Sequence, residues 1–282
     1  MGHKNTELRI ARALVVNPED ASDWGISLVA QAPGSCAGLC GSGSACIADD
    51  TGLETCTAVA SSCPSSCDTG QACIAGSCTD ELVAPTTAVL AKGTGLFPSV
   101  VILPDGRIAV SYYDRSTRSL KIAVENAADT GNFTESVLDE TASRDSGMWS
   151  SAIVDGTGTV HVAYQDAIGD QLMYTTWNGT AGTPEVVDDG QRQGDRTHTV
   201  GASAAIYLVN GTPAIAYHDG LSSDVYVASK QNPWSVTNVA PGLLLDGISV
   251  DGTTGPGGSV FLAWDSIDKN TTPVHNLVVK RQ

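Results

Sequence analysis

The sequence predicts an all-β fold, a β-propeller of four-stranded antiparallel blades with a small disulfide-rich insertion. Three observations lead there. Tetrapeptides of one design recur at Ser111-Tyr112-Tyr113-Asp114, Ala163-Tyr164-Gln165-Asp166 and Ala216-Tyr217-His218-Asp219, with a weaker copy at Ala263-Trp264-Asp265-Ser266. Their aromatic residues, Tyr112, Tyr164, Tyr217 and Trp264, are 52, 53 and 47 residues apart, about the length of one four-stranded blade. All eight cysteines crowd between Cys36 and Cys78, where too few apolar residues stand to bury a core. The competing reading of the repeats is a β-sandwich with coincidental spacing.

Taken in order, the elements begin with Leu8 to Ala11, which matches the third strand (C) of the later repeats, and Trp24 to Val29, which matches a fourth (D). The chain therefore starts halfway through a blade. Beyond the cysteines, Ser99, Ser151 and Ser203 each open an apolar run (strand A), 13 or 14 residues before the repeated aromatic. Asp105-Gly106, Asp155-Gly156 and Asn210-Gly211 join that run to strand B. A run, a tight Asp-Gly or Asn-Gly turn and a second run make a hairpin signature. Strand C follows eight residues after each aromatic, at Leu120, Leu172 and Val225, and strand D near Phe133–Leu138, Pro184–Val187 and Trp234–Val239. Leu277 to Lys280 matches strand C once more, with no strand D after it. Periodicity is near 2 or continuously apolar, and no amphipathic helix exceeds about two turns. The expected organisation is a partial blade over 1–33, a cysteine module over 34–80, and blades over 81–282, near 95–140, 141–190, 191–240 and 241–282. In many closed propellers an N-terminal strand completes the last blade and removes its open edge. Here two strands are offered where one is missing, so the blade edges are open to self-association or to another chain, and the alternative is that the chain is part of a longer one.

The Tyr-x-Asp ends of strand B and strands such as Leu120 to Ala123 resemble bacterial secreted propellers, of the kind found in myxobacteria, with sialidase-like or BNR-like blades. The resemblance covers 7–31 and 95–282 and implies fold. The Asp-box of true sialidases, Ser-x-Asp-x-Gly-x-Thr-Trp, is absent, which weakens any transfer of sialidase chemistry.

Cys36, Cys40, Cys46 and Cys56, then Cys63, Cys67, Cys73 and Cys78, form two tandem four-cysteine units of similar spacing. Between them stand mostly Gly, Ser, Ala, Thr and Asp, so disulfides of roughly 2–4 kcal/mol each must supply the stability. Pairing first to third and second to fourth is expected in each unit, out of three connectivities. The pattern resembles short EGF-like segments of exported proteins. Zinc is the competitor, since Cys36-x3-Cys40 and Cys63-x3-Cys67 fit zinc spacing, but the second pair of the first unit is too wide. Such a density of cysteines belongs to an oxidising compartment, so an extracellular or cell-surface location is expected. No apolar run approaches the roughly 20 residues of a membrane span. The stretch MGHKNTELRIAR lacks the apolar core of a signal peptide, so an exported form has lost its signal or this chain begins inside a longer gene product.

Of 282 residues, 31 are acidic and 15 basic, a net charge of −16. That balance repels phosphate backbones and anionic lipid, which argues against nucleic acid and membrane surfaces. A protein or glycan at the cell surface is the expected partner. No cofactor is expected. Calcium has no complete motif, because the Asp155 and Asp251 turns complete no Asp-x-Asp-x-Asp-Gly loop.

Two sets of residues are candidates for chemistry. The repeated carboxylates Asp114, Asp166, Asp219 and Asp265 follow strand B, where they either ring the axis for a cation or sugar or cap the loop by accepting backbone N–H groups. A site breaks the symmetry of its scaffold, so the better candidates are irregular: Arg144, Asp145 and Trp149 in one loop, Arg192, Asp195, Arg196 and His198 one blade later, and Tyr113 and His218 after strand B. Guanidinium groups beside an aromatic ring and a carboxylate suit an anionic sugar, and loop arginines in an acidic chain also suit simple ion pairs. The leading expectation is a non-enzymatic binding or structural propeller. The alternatives are a lectin, or a sialidase-like hydrolase with Arg144, Arg192 and Arg196 on substrate and Asp145 or Asp195 in acid–base work.

Overall fold

A computed structural model describes residues 7–15, 18, 20–31, 40–48, 54–60, 63, 66–81, 93–268 and 274–281. The chain divides into two units, Leu8–Ala30 with Thr94–Gln282 and Met1–Glu7 with Gln31–Gly93. Strands β1 (Glu7–Ala13) and β2 (Trp24–Gln31) pair with each other.

In the smaller unit β3 (Ser44–Ala48) pairs with β4 (Glu54–Ala58), and β5 (Gln71–Ile74) with β6 (Ser77–Asp80). Disulfides join Cys40 to Cys56, Cys63 to Cys73 and Cys67 to Cys78, in the first-to-third and second-to-fourth order expected. Cys46 is also disulfide-bonded, and its expected partner Cys36 lies outside the described residues. The sulfurs of Cys63, Cys67 and Cys78 lie within 4.8 Å of one another. Each is already covalently paired, which leaves no thiolates for zinc.

The larger unit is an all-β propeller. Its sheets run β7 (Leu96–Ile102), β8 (Ile108–Asp114), β9 (Ser119–Glu125), β10 (Phe133–Asp139); then β11 (Ser146–Val154), β12 (Val160–Asp166), β13 (Gln171–Trp177), β14 (Glu185–Asp188); then β15 (Val200–Val209), β16 (Thr212–Asp219), β17 (Asp224–Ser229), β18 (Ser235–Asn238). A three-stranded sheet follows, β19 (Leu245–Thr254), β20 (Val260–Asp268) and β21 (Val274–Arg281). Each sheet is an antiparallel meander in sequence order. The first strands β7, β11, β15 and β19 pack one against the next.

The cores lie between consecutive sheets, as a propeller requires. Leu120, Ile122, Val124 and Leu138 of the first four-stranded sheet meet Val160, Val162, Tyr164 and Met173 of the second. Ala163, Leu172 and Val187 of the second meet Ile206, Ile215 and Tyr217 of the third. The β1–β2 pair covers the other side of the first sheet, where Leu8 and Val29 pack on Ile108, Val110 and Tyr112.

One repeated glycine sets the distance between sheets. Gly95, Gly147, Gly201 and Gly247 all have positive φ, where side chains are strained. An added Cβ would lie 2.5 Å from Leu8, 3.0 Å from the Leu120 Cα, 2.9 Å from the Leu172 Cα and 2.5 Å from Val225. Strand A of each sheet thus sits directly on strand C of the sheet before, and β1 takes the strand C role for the first. Close to this glycine the loop between strands B and C closes the joint. The carbonyls of Arg118, Asp170 and Ser223 accept from the N–H groups of Ser146, Val200 and Asp246 at 3.2, 3.0 and 2.9 Å. The hydroxyls of Ser99, Ser151 and Ser203, residues singled out by their spacing, accept from Ala152, Ile206 and Val250 of the following sheet.

Candidate functional site

The B–C loops and the starts of strand A lie at one end of the sheets, because the joint hydrogen bonds connect them. The repeated aromatics of strand B are each tied to an acid. Tyr164 donates to Asp139 at 2.7 Å, Tyr217 to Asp188 at 2.6 Å and Tyr112 to Glu135 at 2.8 Å, and the Trp264 indole donates to Asp246 at 3.2 Å. Asp139 and Asp188 end the strand D of the preceding sheet, so Tyr164 and Tyr217 are tied to an acid of the blade before, whereas Tyr112 and Trp264 bond within their own sheets.

The residue after each aromatic reaches forward instead. Tyr113 donates to Asp145 at 2.6 Å, the Gln165 amide donates to the Val200 carbonyl at 3.0 Å, and His218 Nδ1 lies 2.9 Å from the Asp246 carbonyl. The repeated carboxylates gather local donors. Asp114 accepts from Lys121 at 2.7 Å and from the Ser116 N–H and hydroxyl. Asp166 accepts the N–H groups of Asp145 and Ile168. Asp219, fully buried, accepts those of Leu221 and Ser222 and lies 2.7 Å from His198 Nδ1. Asp265 differs. It lies inside β20 opposite Leu277, the register held by Tyr113 opposite Leu120, and accepts from the Ser249 N–H. One residue of offset moves a side chain to the other face of a strand, so Asp265 follows the forward-reaching position and Ser266 takes that of the three other acids.

Apart from Trp149 and His218, the irregular candidates separate into two groups at successive joints, with no hydrogen bond or ion pair linking them among the described residues. In the first, Arg144 donates to Asp139 at 3.2 Å while Asp145 accepts from Tyr113. In the second, Arg192 forks onto Asp188 at 2.9 and 2.8 Å, also reaches Asp219 at 3.1 Å, and stacks 4.9 Å from the Tyr226 centroid. These acids hold the guanidinium charged, raising its pKa, Asp188 foremost. Burial pushes the Asp188 carboxyl up, but Arg192, Tyr217 and the Gly190 N–H together bring it below the usual range. His198 is buried between Asp219 and Asp195, its Nε2 3.3 Å from the latter. Asp195 is held low by the Arg196 N–H and by His198. The Arg196 side chain is exposed and makes no hydrogen bond among the described residues.

Trp149 stands apart from these locks. It occupies a β-bulge in β11 at φ 54°, and Phe97 takes the corresponding place in β7 at φ 49°. Bulges re-aim side chains. Here the two rings meet, centroids 4.8 Å apart, and Tyr113 lies 6.4 Å from Phe97. Trp149 remains 39 % exposed. Burial and the Asp145 carboxylate push the Tyr113 hydroxyl well above the phenol range, and the exposed Arg115 and Arg118 oppose that shift. The result is a partly exposed Phe97–Trp149 ring pair backed by Tyr113, which is 1 % exposed, with the exposed Arg115 and Arg118 acting on Tyr113. Sequence reasoning missed Phe97, Arg115, Arg118, Asp139 and Asp188. Asp139 and Asp188 carry a recoverable signal, an acid closing strand D in two successive repeats, whereas Phe97 joins Trp149 only through the bulges.

No protein-family model and no curated protein matches the chain. Among solved structures, a polysaccharide lyase described as PL25 ulvan lyase is similar at 15 % identity and TM-score 0.46, over 65 % of this chain and 55 % of that one. A Penicillium chrysogenum α-L-arabinanase complexed with arabinobiose is similar at 13 % identity and TM-score 0.49, over 70 % and 65 %. AofleA from Arthrobotrys oligospora is similar at 11 % identity and TM-score 0.44, over 92 % and 76 %. The chain thus spans just over half of the lyase and slightly under two thirds of the arabinanase.

Proposed function

We propose that the chain is an extracellular or cell-surface binding propeller that recognises a glycan on the aromatic pair formed by Phe97 and Trp149, backed by the buried Tyr113 ring. The exposure of Trp149 on a ring already fixed by Phe97 carries the reading. A rigid, half-exposed indole offers a flat apolar face at little entropic cost, and binding sites combine such faces with a few directed polar groups. Arg115 and Arg118, which act on Tyr113, favour a glycan bearing carboxylate or sulfate. The disulfides support an oxidising compartment, and no helix among the described residues is long and apolar enough to cross a membrane.

The commitment of the carboxylates favours binding over hydrolysis. A glycosidase needs two carboxyl groups flanking one bond, about 5–10 Å apart and available to substrate. Asp145 accepts from Tyr113, Asp195 faces His198, and the two belong to separate groups. Arg144 and Arg192, assigned to substrate in a hydrolase, are both engaged by buried acids. A glycan array probed with the purified chain, followed by calorimetric titration of any hit, tests the proposal. Trp149→Ala is expected to weaken binding at least tenfold while the melting temperature stays put. A chain that retains no glycan, or binding indifferent to Trp149→Ala, overturns it.

A further inference from the structure

Each joint in the propeller repeats one contact, and that contact identifies an unfilled partner surface. In register terms Leu120 stands opposite Tyr113, Leu172 opposite Gln165 and Val225 opposite His218. All three are fully buried by strand A of the following sheet. Leu277 stands at the same position, opposite Asp265, and is 76 % exposed. Two residues on, Val279 is 64 % exposed, whereas its counterparts Ile122, Tyr174 and Val227 are buried. The forward-reaching residues Tyr113, Gln165 and His218 each bond to the next sheet, but Asp265 bonds within its own.

A complementary surface lies at the other end of the series. The β1–β2 pair packs Leu8 and Val29 forward onto the first four-stranded sheet. Its opposite face carries Trp24, Ile26 and Leu28, exposed at 43, 65 and 44 %. In every internal joint a forward-facing apolar sheet meets a backward-facing one, as Leu120 and Ile122 meet Val162 and Met173. Leu277 and Val279 form an uncovered forward face, and Trp24, Ile26 and Leu28 an uncovered backward face. Apolar rows of this kind on a soluble protein mark interaction surfaces.

We propose that a second copy of this chain covers the β19–β21 face, docking the outer face of its own β1–β2 pair there and continuing the series of blades from one copy to the next. The joint is heterologous: each copy uses a different surface, so copies add head to tail, forming a ring where the rotation between copies closes and a filament where it does not. This surface is separate from the aromatic pair, and either proposal stands if the other fails.

Light scattering on the full chain after gel filtration, across about 1–100 µM, tests it. The wild type is expected to show masses that are multiples of 29.0 kDa and rise with concentration. Leu277→Asp and Ile26→Asp should each remain at one chain mass. Both positions are exposed, so the fold is expected to survive, which circular dichroism checks. Val279→Lys and Leu28→Lys provide second variants on the same faces. An equimolar mixture of the Leu277→Asp and Ile26→Asp chains retains one intact forward face and one intact backward face, and should form a dimer that grows no further. A wild type that stays at one chain mass throughout overturns the proposal. So does an oligomer that either substitution leaves intact, or a mixture that fails to dimerise.

Discussion

Tyr217→Phe removes one hydroxyl from a fully buried ring and tests the tie between consecutive blades. That hydroxyl donates to Asp188 Oδ2 at 2.6 Å. Asp188 keeps two bonds from Arg192 and one from the Gly190 N–H, so the carboxylate loses one donor of four and is not stranded. A hydrogen bond to a charged group contributes about 1.5–3 kcal/mol, and the surviving partners place the expected loss near 2 kcal/mol. For a domain of this size each kcal/mol moves the melting temperature by about 2–4 °C, so a fall of about 4–8 °C is expected at pH 7. The pH dependence has a definite sign. Asp188 is held below the ordinary carboxylate range, so its stabilising contribution is complete above about pH 4 and is lost as pH falls through the depressed folded value. The gap between the wild type and Tyr217→Phe should therefore narrow as the pH falls below the ordinary carboxylate range. Scanning calorimetry of both proteins across that range makes the measurement. Equal melting temperatures at pH 7, or a gap that persists unchanged in acid, would refute the reasoning.

Three further outcomes are expected. Gly201→Ala adds a methyl group 2.9 Å from the Leu172 Cα at a positive φ, whereas Gly179→Ala meets the same backbone restriction with nothing within 4 Å; denaturant melts should show Gly179→Ala costing about 1 kcal/mol and Gly201→Ala at least twice that. Burial opposes ionisation of Asp155, but the Thr157 hydroxyl, His161 and the Thr157 and Thr159 N–H groups bring it down to about 2; a carbon-detected NMR titration should find that midpoint and see it rise toward 4 in Thr157→Val, with the stability it supplies present above pH 4 and lost between about 4 and 2. Replacing Cys63 and Cys73 together by Ser opens a loop with sequence separation 10, which loop entropy values at about 3 kcal/mol, and limited proteolysis should then cut the 63–81 segment first.

Much of the fold was legible in the sequence because strand pairing in a meander is local. The turns at Asp105-Gly106 and Asp155-Gly156 and the apolar runs of strands B and C each act within one blade, and the 52- and 53-residue intervals repeat that unit. The density of cysteines likewise marked a disulfide staple, and the structure selects the pairings Cys40–Cys56, Cys63–Cys73 and Cys67–Cys78 out of the three connectivities each unit allows. What joins one blade to the next was hidden. Gly95, Gly147, Gly201 and Gly247 show their role only where each is found against strand C of another sheet.

The candidate site divides along the same line. Sequence identified Arg144, Arg192, Asp145 and His198 as irregular residues in a regular scaffold, a property of position alone. Whether such a residue is available to a ligand depends on what stands within 3 Å of it, and the acids that engage them, Asp139, Asp188 and Asp219, end strands D and B of neighbouring sheets. Trp149 was recognised as a candidate, but its platform was not, because Phe97 lies 52 residues away and meets it only where two bulged strands pack side by side. The sequence by itself determined the repeating strands and turns and the disulfide staple, since these depend on near neighbours along the chain. Only the tertiary structure decided which charged groups neutralise one another, which rings stay exposed, and that Leu277 is exposed where its counterparts are buried, since each depends on distances between blades.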